Sequence, residues 1–105
     1  MTKTVQQLRQ EKLKPARDHF KSCAEYIRTC FPFEIWSMHG LNWPHWDKLR
    51  VLICNTFGVS TIDQIPDEFI DSANDFAIEM INTMFDRNIQ AMKLFQQKKE
   101  EESNG

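Results

Sequence analysis

Residues 46–81, W-D-K-L-R-V-L-I-C-N-T-F-G-V-S-T-I-D-Q-I-P-D-E-F-I-D-S-A-N-D-F-A-I-E-M-I, decide the fold of this chain. Trp46, Leu49, Val51, Leu52, Ile53 and Phe57 give an apolar helical pattern over about residues 45–57, and Pro44 sits where a helix can start. Gly58 supplies the left-handed position that closes such a helix. Ser60 or Thr61 can cap one short helical turn. Pro66 then opens the next helix, with Asp67 and Glu68 complementing the exposed N–H groups of its first turn.

From Pro66 no Gly or Pro intervenes before about Lys99, so the spacing predicts one long helix. Ile70, Ala73, Ala77, Met80, Ile81, Met84, Phe85, Met92 and Phe95 share one broad face of it. At 1.5 Å per residue such a rod reaches about 50 Å, against a radius of gyration near 13 Å for a domain of about 100 residues. One end must therefore protrude, kink or be covered. The apolar stripe Met84, Phe85, Ile89, Met92 and Phe95 needs shelter from the N-terminal helix or from a second copy, and the expectation is a homodimer.

Toward the N-terminus, Ala16, Phe20, Cys23, Ala24, Ile27, Cys30 and Phe31 recur at helical spacing and predict a helix over about 15–31, ended by Pro32. Residues 1–14 read as a basic, frayed helix interrupted at Pro15. Residues 33–44 form an aromatic connection in which Phe33, Ile35, Trp36, Met38, Leu41 and Trp43 fold back as a lid, with a short helical turn or an extended pair near Phe33–Met38. Residues 100–105 form a disordered polar tail. The fold class is a small all-α bundle of three main helices, about 15–31, 45–57 and 66–99, making a single domain over 15–99.

The composition, 41% hydrophobic and 27% charged over 105 residues, is that of a soluble globular chain able to bury one core. No apolar run is long enough to span a bilayer and no secretory h-region opens the chain, so a cytoplasmic protein is expected, with no membrane partner. Cys23, Cys30 and Cys54 are an odd set inside apolar patterns, which predicts reduced, buried thiols. Charge is segregated: Lys and Arg against Asp and Glu number 7 to 3 over residues 1–31 and 0 to 7 over residues 58–86.

Phe57, Gly58, Val59, Ser60, Ile65, Pro66 and Phe69, set between two apolar helices, resemble the small C-terminal domain of bacteriophage antirepressor-type regulatory proteins. That family joins a bulky helix to an R-F-G-V-like turn, an I-P link and an acidic-aromatic helix start. The resemblance covers about residues 46–81. It implies a phage or prophage origin, an intracellular regulatory role and binding to a protein or nucleic acid. Cys54, Asn55 and Thr56 stand where basic residues are expected, so the resemblance carries no nucleic-acid role to them.

A helix-turn-helix reader at F-G-V-S is opposed by electrostatics, because duplex affinity needs cations at the phosphates and residues 58–86 have none. The alternative nucleic-acid surface is the basic N-terminal helix, through Lys12, Lys14, Arg17 and Lys21, assisted by stacking on Trp36, Trp43 or Trp46. His19, Cys23 and Cys30 share a helix face, but this is the core face and the Cys spacing is wide for zinc, so neither metal nor cofactor is expected. His39, His45, Asp47, Cys54 and Ser37 supply residue types for nucleophilic catalysis without a motif, and no enzyme is expected. The expected function is regulation through contact with a host or phage protein, with self-association. Trp43, Trp46, Met84, Phe85, Met92 and Phe95 are the candidate contacts, and the acidic middle of the chain is a candidate docking face for a basic partner.

Overall fold

A computed structural model describes residue 4 and residues 12–104. The expected all-α bundle is present: α1 (Lys14–Cys30), α2 (Phe33–His39), α3 (Trp43–Thr56), two 3-10 turns (Ile62–Gln64 and Asp67–Phe69) and α4 (Ile70–Asn104). No strand occurs among the described residues. The frayed helix expected over residues 1–14 falls mostly outside the described residues.

α1 buries Ala16, Phe20, Ala24 and Ile27, a spacing of four, four and three that places them on one helical face. Cys30 departs from expectation and is exposed, while Cys23 is half-buried and only Cys54 is fully buried. The core face drifts away from Cys30 at the helix end, where Pro32 turns the chain aside. Phe20 is the hinge of the core. Its ring centroid lies 5.8 Å from that of Trp46 on α3 and 5.0 Å, edge-on, from that of Phe85 on α4.

α3 turns Trp46, Leu49, Ile53 and Cys54 inward. Val51 and Leu52, counted in the apolar pattern, face solvent instead, because only one stripe of a single-sided helix can reach the core. The helix closes as expected at Gly58, with φ +73°. Val59 N–H donates to the Cys54 carbonyl at 3.0 Å and Gly58 N–H to that of Asn55 at 3.2 Å, the paired bonds of a Schellman closure. In the link that follows, the Gln64 side chain accepts from the backbone N–H of Ser60 (2.9 Å) and Thr61 (3.3 Å).

α4 is unbroken over 35 residues. Its α-helical bonding starts at Ile70, after a 3-10 turn, and runs to Asn104, past the end expected near residue 99 and through most of the tail expected to be disordered. The molecule is accordingly elongated, 61 × 27 × 18 Å, with a radius of gyration of 16.7 Å.

The connection expected to be a lid carries the seven-residue helix α2, which lies along the distal half of α4. His39 stacks on Phe95 with ring centroids 3.9 Å apart, and Lys99 Nζ meets Glu34 Oε2 at 3.0 Å. Ile35 is buried, and Trp36 and Leu41 are partly so. Phe33 and Met38 do not join the lid: they remain 68% and 77% exposed, since a single short helix can press only one face onto α4.

Asparagines on the core side of α4 fasten the other helices. Leu13, at the N-cap of α1, has no oxygen with which to cap it. Asn74 Oδ1 instead accepts the Ala16 N–H at 3.2 Å, the third-position donor that a polar N-cap side chain would otherwise satisfy. Asn74 Nδ2 donates to the carbonyls of Lys12 (2.8 Å) and Ile70 (3.0 Å). Farther along, Asn88 accepts the Leu41 N–H at 3.1 Å and donates to the last carbonyl of α2, that of His39, at 2.7 Å.

Candidate interaction surfaces

Apart from Phe95, the apolar stripe of α4 finds its shelter within one chain. Phe85 and Met92 are buried, and Met84 and Ile89 are partly buried against the core. The stripe therefore does not require a second copy to cover it, which removes the packing argument for a dimer. Of the residues named as contacts, Trp46, Phe85 and Met92 are core residues out of reach of a docking partner, and Met84 is half-buried. Trp43 and Phe95 keep 45% and 42% of their surface open. Sequence periodicity places residues on a face but does not say which neighbour covers it; here α1 covers Phe85 through Phe20, and α2 covers part of Phe95 through His39.

The basic candidates divide as well. Lys12 is spent on structure: its Nζ donates to the carbonyls of Asp63 (2.9 Å) and Ile65 (2.7 Å) and lies 3.9 Å from Asp67. It pins the start of α1 to the link before α4. Nothing in the local sequence of Lys12 signals carbonyls more than fifty residues away. Arg17 is half-buried and 3.8 Å from Asp18, and Lys14 and Lys21 are exposed.

His19, Cys23 and Cys30 are not assembled into a site. His19 Nε2 is 2.6 Å from Asn82 Oδ1 and 3.8 Å from Cys23 Sγ, and Cys30 lies at the exposed end of the helix. Burial pushes the Cys23 thiol pKa up, opposite to what a reactive thiolate needs. No group of three or more His, Cys, Asp or Glu poised to hold a metal occurs among the described residues. His45 has a local role, its Nδ1 accepting the Asn42 N–H at 2.9 Å at the start of α3.

The most organised free surface is on α4. Glu68, in the turn before the helix, and Asp71, Asp75, Glu79 and Asp86 are all exposed, at spacings that keep them on one side of the rod and away from the buried Ala73, Ala77 and Ile81. Among the described residues, Glu68, Asp71, Asp75 and Glu79 have no ion-pair or side-chain hydrogen-bond partner. Asp71 to Asp75 and Asp75 to Glu79 are like-charge pairs four residues apart, an arrangement that destabilises a helix.

An aromatic cluster borders this acidic strip. Phe57 lies 6.1 Å from Phe69 and 6.4 Å from Phe76, centroid to centroid. Phe57 and Phe76 are half-buried and Phe69 is 50% exposed. The surface thus combines an apolar aromatic centre with a carboxylate rim. Sequence reading found the carboxylates and missed the cluster, because Phe57 and Phe69 belong to elements that only the Gly58 turn brings together.

No protein-family model, curated protein or solved structure matches this chain. No described helix is long and apolar enough to cross a membrane.

Proposed function

We propose that this chain is a small all-α regulatory or accessory protein that acts by docking a partner protein on the acidic-aromatic face of α4. The observation that carries the reading is the strip Glu68, Asp71, Asp75 and Glu79, which has no cation of its own among the described residues and abuts Phe57, Phe69 and Phe76. Interfaces combine a buried aromatic centre with a polar rim, and opposite charge steers the encounter. The partner chemistry that fits is an amphipathic basic segment: apolar side chains for the Phe cluster, Lys or Arg for the strip. The resemblance of residues 46–81 to the phage antirepressor C-terminal domain supports a regulatory setting in which the partner is a host or phage protein.

The reading calls for neither catalysis nor a cofactor, and it does not depend on self-association. Its test compares the wild-type chain with Asp75→Lys/Glu79→Lys and with Phe69→Ala, each immobilised and exposed to cell lysate at low salt. Every substituted side chain is exposed, so circular dichroism should be unchanged. A basic protein retained by the wild type and lost with both variants is the expected result. Identical capture by all three would refute the docking face.

A further inference from the structure

A second surface lies on a different pair of helices. On α1, Lys14, Arg17, Lys21 and Arg28 follow one another at intervals of three, four and seven, forming one stripe about 21 Å long. Asp18 and Glu25 flank it on the side away from the core. At its C-terminal end the stripe enters a cleft of about 110 Å³ between α1 and the start of α3, lined by Lys21, Ala24, Glu25, Arg28, Asn42 and Trp43.

Arg28 is held in place there. Its Nη2 donates to Asn42 Oδ1 at 2.8 Å and its guanidinium carbon sits 4.8 Å from the centre of the Trp36 ring. A guanidinium has five N–H donors, so most remain available after that bond. Lys21 has no partner among the described residues. Trp43 packs on the fully buried Phe20, with ring centroids 6.0 Å apart, yet is 45% exposed. An indole fixed by the core and open to solvent beside two cations is the arrangement that binds a phosphate and stacks a base.

We propose that this cleft binds a nucleotide unit of single-stranded nucleic acid, with its phosphate on Lys21 and Arg28 and its base on Trp43. The volume accommodates a phosphate while the base lies over the open indole outside it, and the rest of the stripe follows the strand. Glu25 faces the same cleft and is suited to accept from a base amino group or a sugar hydroxyl. The acidic α4 face plays no part, so this site and the proposed protein docking stand or fall separately.

The test is fluorescence anisotropy of a labelled oligodeoxythymidylate of about 12 nucleotides at low salt. Binding should weaken with salt with a logarithmic slope no steeper than about −2.8, the value for four cations on a single strand. Lys21→Glu should reduce both affinity and slope. Trp43→Ala should weaken binding by roughly 5- to 150-fold, the range for one base lost from an aromatic platform, and Trp43→Phe should restore most of it. Circular dichroism checks that the Trp43 variants fold, and Lys21→Glu, at an exposed position, tests the site independently of the core. If thymidine monophosphate competes as well as the oligomer, the site stands and its ligand is a free nucleotide. Absence of binding, tighter binding of duplex, equal competition by inorganic phosphate, or indifference to Lys21→Glu and Trp43→Ala would overturn the proposal.

Discussion

Replacing Asn74 with leucine removes the polar clamp that joins α4 to the start of α1 while nearly preserving volume. Two losses add. The Ala16 N–H loses the acceptor that stands in for an N-cap side chain, an interaction worth about 0.5–2 kcal/mol. The Lys12 carbonyl loses its donor, worth about 1 kcal/mol net. The Ile70 carbonyl is already within the helical ladder and adds little. Asn74 is only 7% exposed, so water does not readily replace what is lost, and the total comes to about 1.5–3 kcal/mol. For a domain of this size that is a fall in Tm on the order of 6–24 °C. Urea unfolding followed at 222 nm measures it, with Asn74→Asp as companion: it keeps one acceptor for Ala16 but sets a second oxygen against the Lys12 and Ile70 carbonyls. A loss below about 0.5 kcal/mol for the leucine variant would refute the view that this side chain caps α1 from another helix.

Asp75→Lys should raise Tm by a few degrees, since it turns two like-charge neighbours into attractive pairs; scanning calorimetry checks it, and greater stability with weaker partner capture would mark the face as kept for binding. Gly40→Ala should be severely destabilising in thermal melts, because a Cβ there would stand 2.6 Å from the Trp36 carbonyl oxygen and 2.9 Å from Ile27 Cδ1. Gly58→Ala should cost about 1 kcal/mol for a different reason, the left-handed backbone at φ +73°, with nothing within 4 Å to clash. Alkylation by iodoacetamide followed by mass spectrometry should proceed at Cys30 first, then at the half-buried Cys23, whose thiol pKa burial raises, and at Cys54 only on unfolding.

The elements legible in the residues are those with strong local causes. Gly58 and Pro66 punctuate the chain by backbone sterics alone, and the Ala16, Phe20, Ala24 and Ile27 spacing identifies the buried face of α1 without help from any neighbour. α2 is not legible in the same way because seven residues give less than two full turns of periodicity, and its stability comes from Phe95, Asn88 and Glu34–Lys99 contacts remote in sequence. Asn74 and Asn88 look like ordinary surface polar residues until the backbone groups they serve are in place. Lys12 looks like a free cation for the same reason. The carboxylates of the α4 face are visible as a charge run, but that Glu68, Asp71, Asp75 and Glu79 have no partner among the described residues is a property of three dimensions.

The two asparagine clamps make α4 a measuring rod. Asn74 and Asn88 stand about 21 Å apart, close to four helical turns, and grip elements that arrive from the other end of the chain. A single residue inserted between them would swing one grip through about 100° relative to the other, so α1 and the loop after α2 could not both stay fastened. Length in that interval is therefore quantised. Descendants of this chain should hardly ever vary in length between positions 74 and 88.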